Sequence, residues 1–148
     1  MKKLMTLAGA AALTLASLPT QAASPWVVEN ATAQEECSAC HMAYAPGFLP
    51  KRSWQAIMAN LSDHFGEDAS LGDAARQEIE LYFTAVAPRQ VNGVAANAAP
   101  LRITDLRWFR GEHGSRLRNR AANDPNIATM SNCTACHRGA ERGFFDDD

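Results

Sequence analysis

Two five-residue stretches, Cys37-Ser-Ala-Cys40-His41 and Cys133-Thr-Ala-Cys136-His137, hold all four cysteines of the chain and two of its four histidines. Two thiols spaced three apart and followed at once by an imidazole form the attachment signature of c-type haem: the sulfurs fix the porphyrin through thioether bonds and the adjacent imidazole reaches the iron. Four cysteines in an oxidising compartment otherwise read as two disulfides, and a zinc site also uses paired Cys-x-x-Cys. Neither alternative gives a reason for histidine immediately after both pairs. Thioredoxin-like redox chemistry wants one such pair inside a βαβ pattern, and no strand-like alternation flanks either motif. The spacing points to two covalently attached haem c groups, one on Cys37 and Cys40 with His41 as axial ligand, the other on Cys133 and Cys136 with His137.

Each iron then takes, or leaves vacant, a sixth ligand opposite the motif histidine. The other two histidines are His64 and His113. Two irons and two spare imidazoles favour bis-histidine ligation, with His41, His64, His113 and His137 as the metal ligands. Methionine is the rival: Met42 and Met130 lie too close to a motif to reach the opposite haem face, and Met58 falls on an apolar stripe where core packing accounts for it. Methionine ligation raises the reduction potential, whereas two imidazoles leave it lower. The expectation is a pair of low-spin, low-potential haems with no open position, suited to carrying electrons. The residues alone leave open which spare histidine serves which haem.

The elements that must position these groups read as helical. Thr32-x-x-Glu35 has the form of a capping box and predicts a helix running into the first motif, ended by Ala45-Pro46-Gly47. A second helix is predicted from Pro50, carrying Trp54, Ile57, Met58, Leu61 and Phe65 on one stripe with His64 two turns beyond Ile57. A third is predicted behind Ser70, with Asp73 in its first turn, through Ile79, Tyr82, Phe83 and Val86 to Pro88. Residues 90–100 read as a linker or long loop, residues 101–109 as a short aromatic segment, and Gly111-Glu112-His113-Gly114 as a turn. The fold class expected is all-α, mostly helical with long loops. Low-apolarity stretches at 89–99 and 111–126 leave little core for each of two small lobes, 23–90 and 91–148, so haem-free chain should fold poorly.

Compartment follows from the first residues. Lys2 and Lys3 precede an apolar run from Leu4 to Leu18 and the small-residue sequence Thr20-Gln21-Ala22, the pattern of a cleaved secretory signal peptide over residues 1–22. The run is rich in Ala and Thr and short of the roughly 20 residues a membrane anchor needs. No later stretch is apolar enough to insert, so the mature protein is expected in the periplasm, without membrane insertion. The 148-residue chain has net charge −2, and losing the two leader lysines makes it more acidic, which argues against nucleic acid as a partner. Charge is uneven: Asp63, Glu67, Asp68, Asp73, Glu78 and Glu80 face Arg76 alone between 61 and 87. Between 102 and 120, Arg102, Arg107, Arg110, Arg116, Arg118 and Arg120 face Asp105 and Glu112.

Taken with the two motifs, the segments PGFLPKRSWQAIMANLSDHFGEDASL (46–71), WFRGEHG (108–114) and NCTACHRGAERGF (132–144) make the sequence resemble the periplasmic dihaem cytochrome c family. The resemblance covers nearly all of the mature chain. It implies a two-lobed helical electron carrier whose first lobe is similar to class I cytochrome c. It also implies bis-histidine haems in which His64 stands opposite His41 and His113 opposite His137. The implied redox partners are a small monohaem oxygen-binding cytochrome and a membrane cytochrome b. The small dihaem electron-transfer subunit of periplasmic nitrate reductase is also short and secreted, but its haem motifs lie much closer together. A dihaem peroxidase would need one open iron and is similar to much longer chains, and a gas or redox sensor would release one distal histidine. The nitrate reductase subunit is also bis-histidine and is set aside on motif spacing alone, whereas the open site of a peroxidase would leave one histidine unexplained.

The two motifs fix a stoichiometry. Denatured mature protein should retain two covalently bound haems by mass spectrometry, and the double variant Cys37→Ala, Cys40→Ala should retain one.

Overall fold

The structure, a computed structural model, describes residues 23–145; the expected signal peptide lies outside the described residues. Among the described residues there are five α-helices linked by 3₁₀ turns and loops, and no β-strand. Helix α1 spans Ala31–Cys37, α2 Lys51–Met58, α3 Asp73–Val86, α4 Arg107–Glu112 and α5 Ser115–Asn123.

Helix α1 begins two residues earlier than the capping box predicts. Asn30 is the N-cap, its side-chain oxygen accepting from the Ala33 amide at 2.7 Å. The Thr32 hydroxyl instead donates to Glu78 at 2.8 Å, joined by the Asn30 amide at 2.9 Å, which ties α1 to α3 and holds the Glu78 carboxyl below its ordinary range. The helix stops at the first cysteine of the motif, where the Ser38 amide donates to the Gln34 carbonyl, so the second cysteine and His41 stand on irregular chain.

Proline opens α2 from the N-cap position, where its missing N–H costs nothing. The helix buries Trp54 and Met58 but ends at Met58; the Leu61–Asp63 segment is a 3₁₀ turn and Phe65 has φ +60°. The stripe predicted to extend to Phe65 is therefore broken, and His64 is delivered by a turn and not by a helix face. Helix α3 follows the prediction closely, with Asp73 in its first turn and Ile79 and Phe83 buried, though Gly72 rather than Ser70 occupies the cap position.

Helices α2 and α3 pack through Trp54 and Phe83, whose rings stack at 4.2 Å between centroids and 18° between planes. The Trp54 indole N–H donates to the Pro46 carbonyl at 2.9 Å, which satisfies the one polar atom this buried ring carries. The same buried cluster takes in Ala33, Leu49, Met58, Ile79, Leu106 and Phe109, so residues of α4 and its approach share a core with the first three helices. The loop at 90–100 is held from α2: the Arg52 guanidinium donates to the carbonyls of Arg89 at 2.9 Å and Ala95 at 2.7 Å, and also to that of Ala98. Helix α5 was not expected from the sequence, because it buries Ala121 alone and offers no apolar stripe to read. Near the chain ends, Gly143 has φ +80° and a Cβ placed there would sit 2.8 Å from the Trp26 carbonyl oxygen, so glycine is required both by conformation and by the close approach.

Phe83 is 2 % exposed and Leu81, on the same helix, 70 %. Phe83→Ala should destabilise the holoprotein by about 3–5 kcal/mol through loss of buried surface and a residual cavity, and Leu81→Ala by less than about 0.5 kcal/mol, as read from urea midpoints.

Candidate functional site

Both motifs and all four histidines open onto one cleft of about 1830 Å³, walled by apolar side chains that include Phe48, Trp54, Met58, Leu61, Phe109 and Met130. Sites for one small ligand occupy roughly 300–1,000 Å³, so this cleft has the size for two large apolar groups. Its walls are shared with the core, since Trp54, Met58 and Phe109 belong to the buried cluster as well.

The histidines face each other in two pairs. His41 and His64 have ring centroids 6.2 Å apart with planes at 27°, and His113 and His137 have centroids 6.0 Å apart with planes at 85°. A metal–imidazole bond is about 2.0 Å and the ring adds roughly 1.1 Å on each side, so two imidazoles gripping one metal from opposite faces put their centroids about 6 Å apart. The pairing is that of each motif histidine with the spare histidine nearer to it in sequence.

Each ring is held differently. His41 Nδ1 lies 2.7 Å from the Met42 carbonyl and His113 Nδ1 lies 3.0 Å from the Phe109 carbonyl. Donation of Nδ1–H to a carbonyl places the free lone pair on Nε2, the atom a metal would take. The Phe109 ring also stacks on His113 at 4.1 Å and 13°, four residues apart across the last turn of α4. His64 is set by a tight turn in which its amide and carbonyl pair with Glu67 at 2.8 and 3.3 Å. Burial, then the neighbouring His41 and Arg102, push the His64 pKa down, which favours its neutral, ligating form. His137 Nδ1 is buried without a hydrogen-bond partner, the kind of orphaned atom that a bound group or water satisfies. Phe145 packs edge-on to His137 at 5.7 Å and to Phe48 at 5.2 Å.

Among the described residues the four cysteines form no disulfide, and no three His, Cys, Asp or Glu side chains converge as ligands for a bare ion. Burial, with Glu36 adding to it, pushes the Cys37 thiol up to about 11, and burial raises Cys133 as well. Cys37 and Cys133 are half-buried, while Cys40 and Cys136 are exposed at the cleft edge. The donor set therefore fits two haem c groups: a thiol pair, a paired set of imidazoles and an apolar wall at each position.

Four residues were not picked out from the sequence for the roles they take. Phe109 could have been found as the aromatic one helical turn before His113. Arg118 donates to the carbonyl of Arg110 at 3.1 Å and to that of His113, closing the end of α4. Arg102 lies over the Phe65 ring, 4.0 Å from its centroid, beside His64. Tyr44 stacks on His41 at 4.7 Å and 21° while its hydroxyl donates to the Ser131 carbonyl at 2.7 Å. No sequence rule signals the Arg102–Phe65 and Tyr44–Ser131 contacts, because those partners are distant in the chain.

Comparison with known proteins gives one consistent result. The model of the dihaem cytochrome c family matches residues 33–145. A solved dihaem cytochrome c from Rhodobacter sphaeroides is 47 % identical, with a TM-score of 0.73 over 80 % of this chain and 98 % of that one. Another, from Shewanella baltica, is 36 % identical with a TM-score of 0.69 over 81 % of this chain and 89 % of that one. No curated protein matches. With its helical fold and its two Cys-x-x-Cys-His motifs, the chain belongs to the dihaem cytochrome c family, whose members carry two covalently bound haem c groups.

Proposed function

We propose that the protein is a periplasmic electron carrier in which His41 and His64 ligate one haem iron and His137 and His113 the other. The observation that carries this reading is the facing of the imidazoles in two pairs near 6 Å, which uses every histidine and keeps none for acid–base chemistry at an open iron. When bound, each haem supplies the one-electron couple of its iron. The chain's part is to hold two imidazoles in place in both oxidation states, so that little rearrangement accompanies transfer. The carbonyls of Met42 and Phe109 keep His41 and His113 in the tautomer that presents Nε2. The apolar wall of Trp54, Met58 and Phe109 excludes water. The exposed Cys40 and Cys136 mark the edges at which a partner would approach. Helix α5, with Arg116 and Arg120 exposed, is a surface for an acidic redox protein, whereas Arg118 is engaged with the end of α4. A small oxygen-binding cytochrome and a membrane cytochrome b are the partners proposed from the family resemblance.

Carbon monoxide tests the ligation. The oxidised protein should be wholly low-spin, and the reduced protein should bind carbon monoxide slowly or not at all. His64→Ala and His113→Ala should each create one high-spin haem that binds it. Rapid binding by the unmutated protein, or peroxidase turnover, would favour an enzyme or sensor. Docking is tested separately: Arg116→Gln with Arg120→Gln should slow transfer to an acidic redox protein by about tenfold at low ionic strength, with the difference vanishing in high salt and both haem spectra unchanged. Equal stopped-flow rates for variant and parent would move the docking site to the haem edges.

A further inference from the structure

Tyr44 touches both haem positions at once. Its ring lies on the imidazole of His41, 4.7 Å between centroids and 21° between planes, and its hydroxyl donates at 2.7 Å to the carbonyl of Ser131, 87 residues away. That carbonyl is two residues from Cys133, whose sulfur lies 3.6 Å from the same oxygen. The phenol thus runs from the axial ligand of the first haem to the chain that anchors the second. Each contact has a distinct physical content. The stack restrains rotation of the His41 ring, whose plane stands at 27° to that of His64. The hydroxyl bond is half-buried and links two segments that neither share a helix nor pair their backbones.

We propose that Tyr44 is a positioning residue for electron exchange between the two haems: its ring sets the orientation of His41 and its hydroxyl fixes that imidazole relative to the Cys133 attachment. The proposal rests on the bis-histidine carrier reading. The step it serves moves one electron from the ferrous to the ferric iron within the molecule and moves no proton. A phenol keeps its proton at neutral pH, so the hydroxyl remains a donor to the Ser131 carbonyl. Its role is geometric: it narrows the distribution of distances and orientations between the sites, to which a tunnelling electron is steeply sensitive.

Two variants of the holoprotein separate the contributions. Tyr44→Phe keeps the stack and loses the tether; Tyr44→Leu loses both. The readouts are the EPR spectrum of the oxidised protein and the rate of intramolecular exchange in the half-reduced protein, followed by two-dimensional NMR. In Tyr44→Phe both low-spin EPR signals should match the parent while exchange slows by roughly twofold to tenfold, the factor by which losing one hydrogen bond lowers the population of the tethered geometry. In Tyr44→Leu the signal assigned to the His41 haem, identified by its loss in His64→Ala, should also shift, while the His137 haem signal stays fixed. A parental exchange rate in Tyr44→Phe, with both signals low-spin, overturns the role of Tyr44 and leaves the ligation reading standing. A high-spin signal in the unmutated protein overturns the ligation reading, and the proposal with it.

Discussion

Four imidazoles brought together in two pairs, each with ring centroids near 6 Å apart, are the constraint on which the rest of the chain depends. Little in the helices themselves demands such an arrangement. They are short, and the largest shared core, around Trp54, Met58, Ile79 and Phe83, also forms part of the wall of the cleft into which the histidines point. A chain built this way has its apolar surface directed at the position of a prosthetic group. Group binding and folding are therefore linked, because whatever occupies the cleft removes from water the surface the chain cannot cover alone. The covalent thioethers make that linkage permanent.

The two positions are not equivalent, and their differences have separate sources. At the first, the motif histidine is held by the next residue's carbonyl and by Tyr44, and the facing ring is presented on a turn. At the second, the facing ring caps helix α4, stacked on Phe109 and bonded to its carbonyl, while the motif ring has an orphaned nitrogen and an edge contact with Phe145. Under the proposed ligation, near-parallel planes at one site and near-perpendicular planes at the other would present the imidazoles differently to the two metals. Two chemically identical haems would thereby be made electronically distinct by the side chains around them, which an electron carrier could use to give its transfer a direction.

The motifs were legible in the sequence because covalent attachment tolerates no change in spacing. Helix α3 was legible because its apolar positions recur with helical period between an acidic first turn and a proline. The short end of α2 was not: Leu61 and Phe65 continue the apolar period, and only the reversal at Phe65, with φ +60°, together with the pairing of His64 and Glu67, overrides it. The cap of α1 was displaced because Asn30 and Thr32 are both competent, and the carboxylate of Glu78, brought in by α3, draws Thr32 away. Helix α5 escaped because a helix with one buried residue has no pattern to detect. The pairing of histidines followed proximity in sequence and the contacts on each ring are local, from Met42 and Tyr44, Glu67 or Phe109, whereas the contacts that brace the segments carrying them came from partners far along the chain.

That last point explains how a ligand can be entrusted to a strained turn. A non-glycine residue held at positive φ costs about 1–3 kcal/mol, and Phe65 is also 43 % exposed, so burial alone does not offset the cost. The bracing comes from Arg102, whose guanidinium covers the Phe65 ring and contributes about 0.5–1 kcal/mol at an exposed site. The Ala69 amide adds to it by donating to the Leu61 carbonyl at 2.9 Å, closing the base of the turn. Arg102 precedes α4, the helix that carries His113 at its end. The His64 side of the first position is thus tied to the chain of the second through Phe65 and Arg102, just as its His41 side is tied through Tyr44 and Ser131. A shift of one pair relative to the other must break contacts on both faces, so the separation between the two sites is set by the fold and not left to the flexibility of a linker.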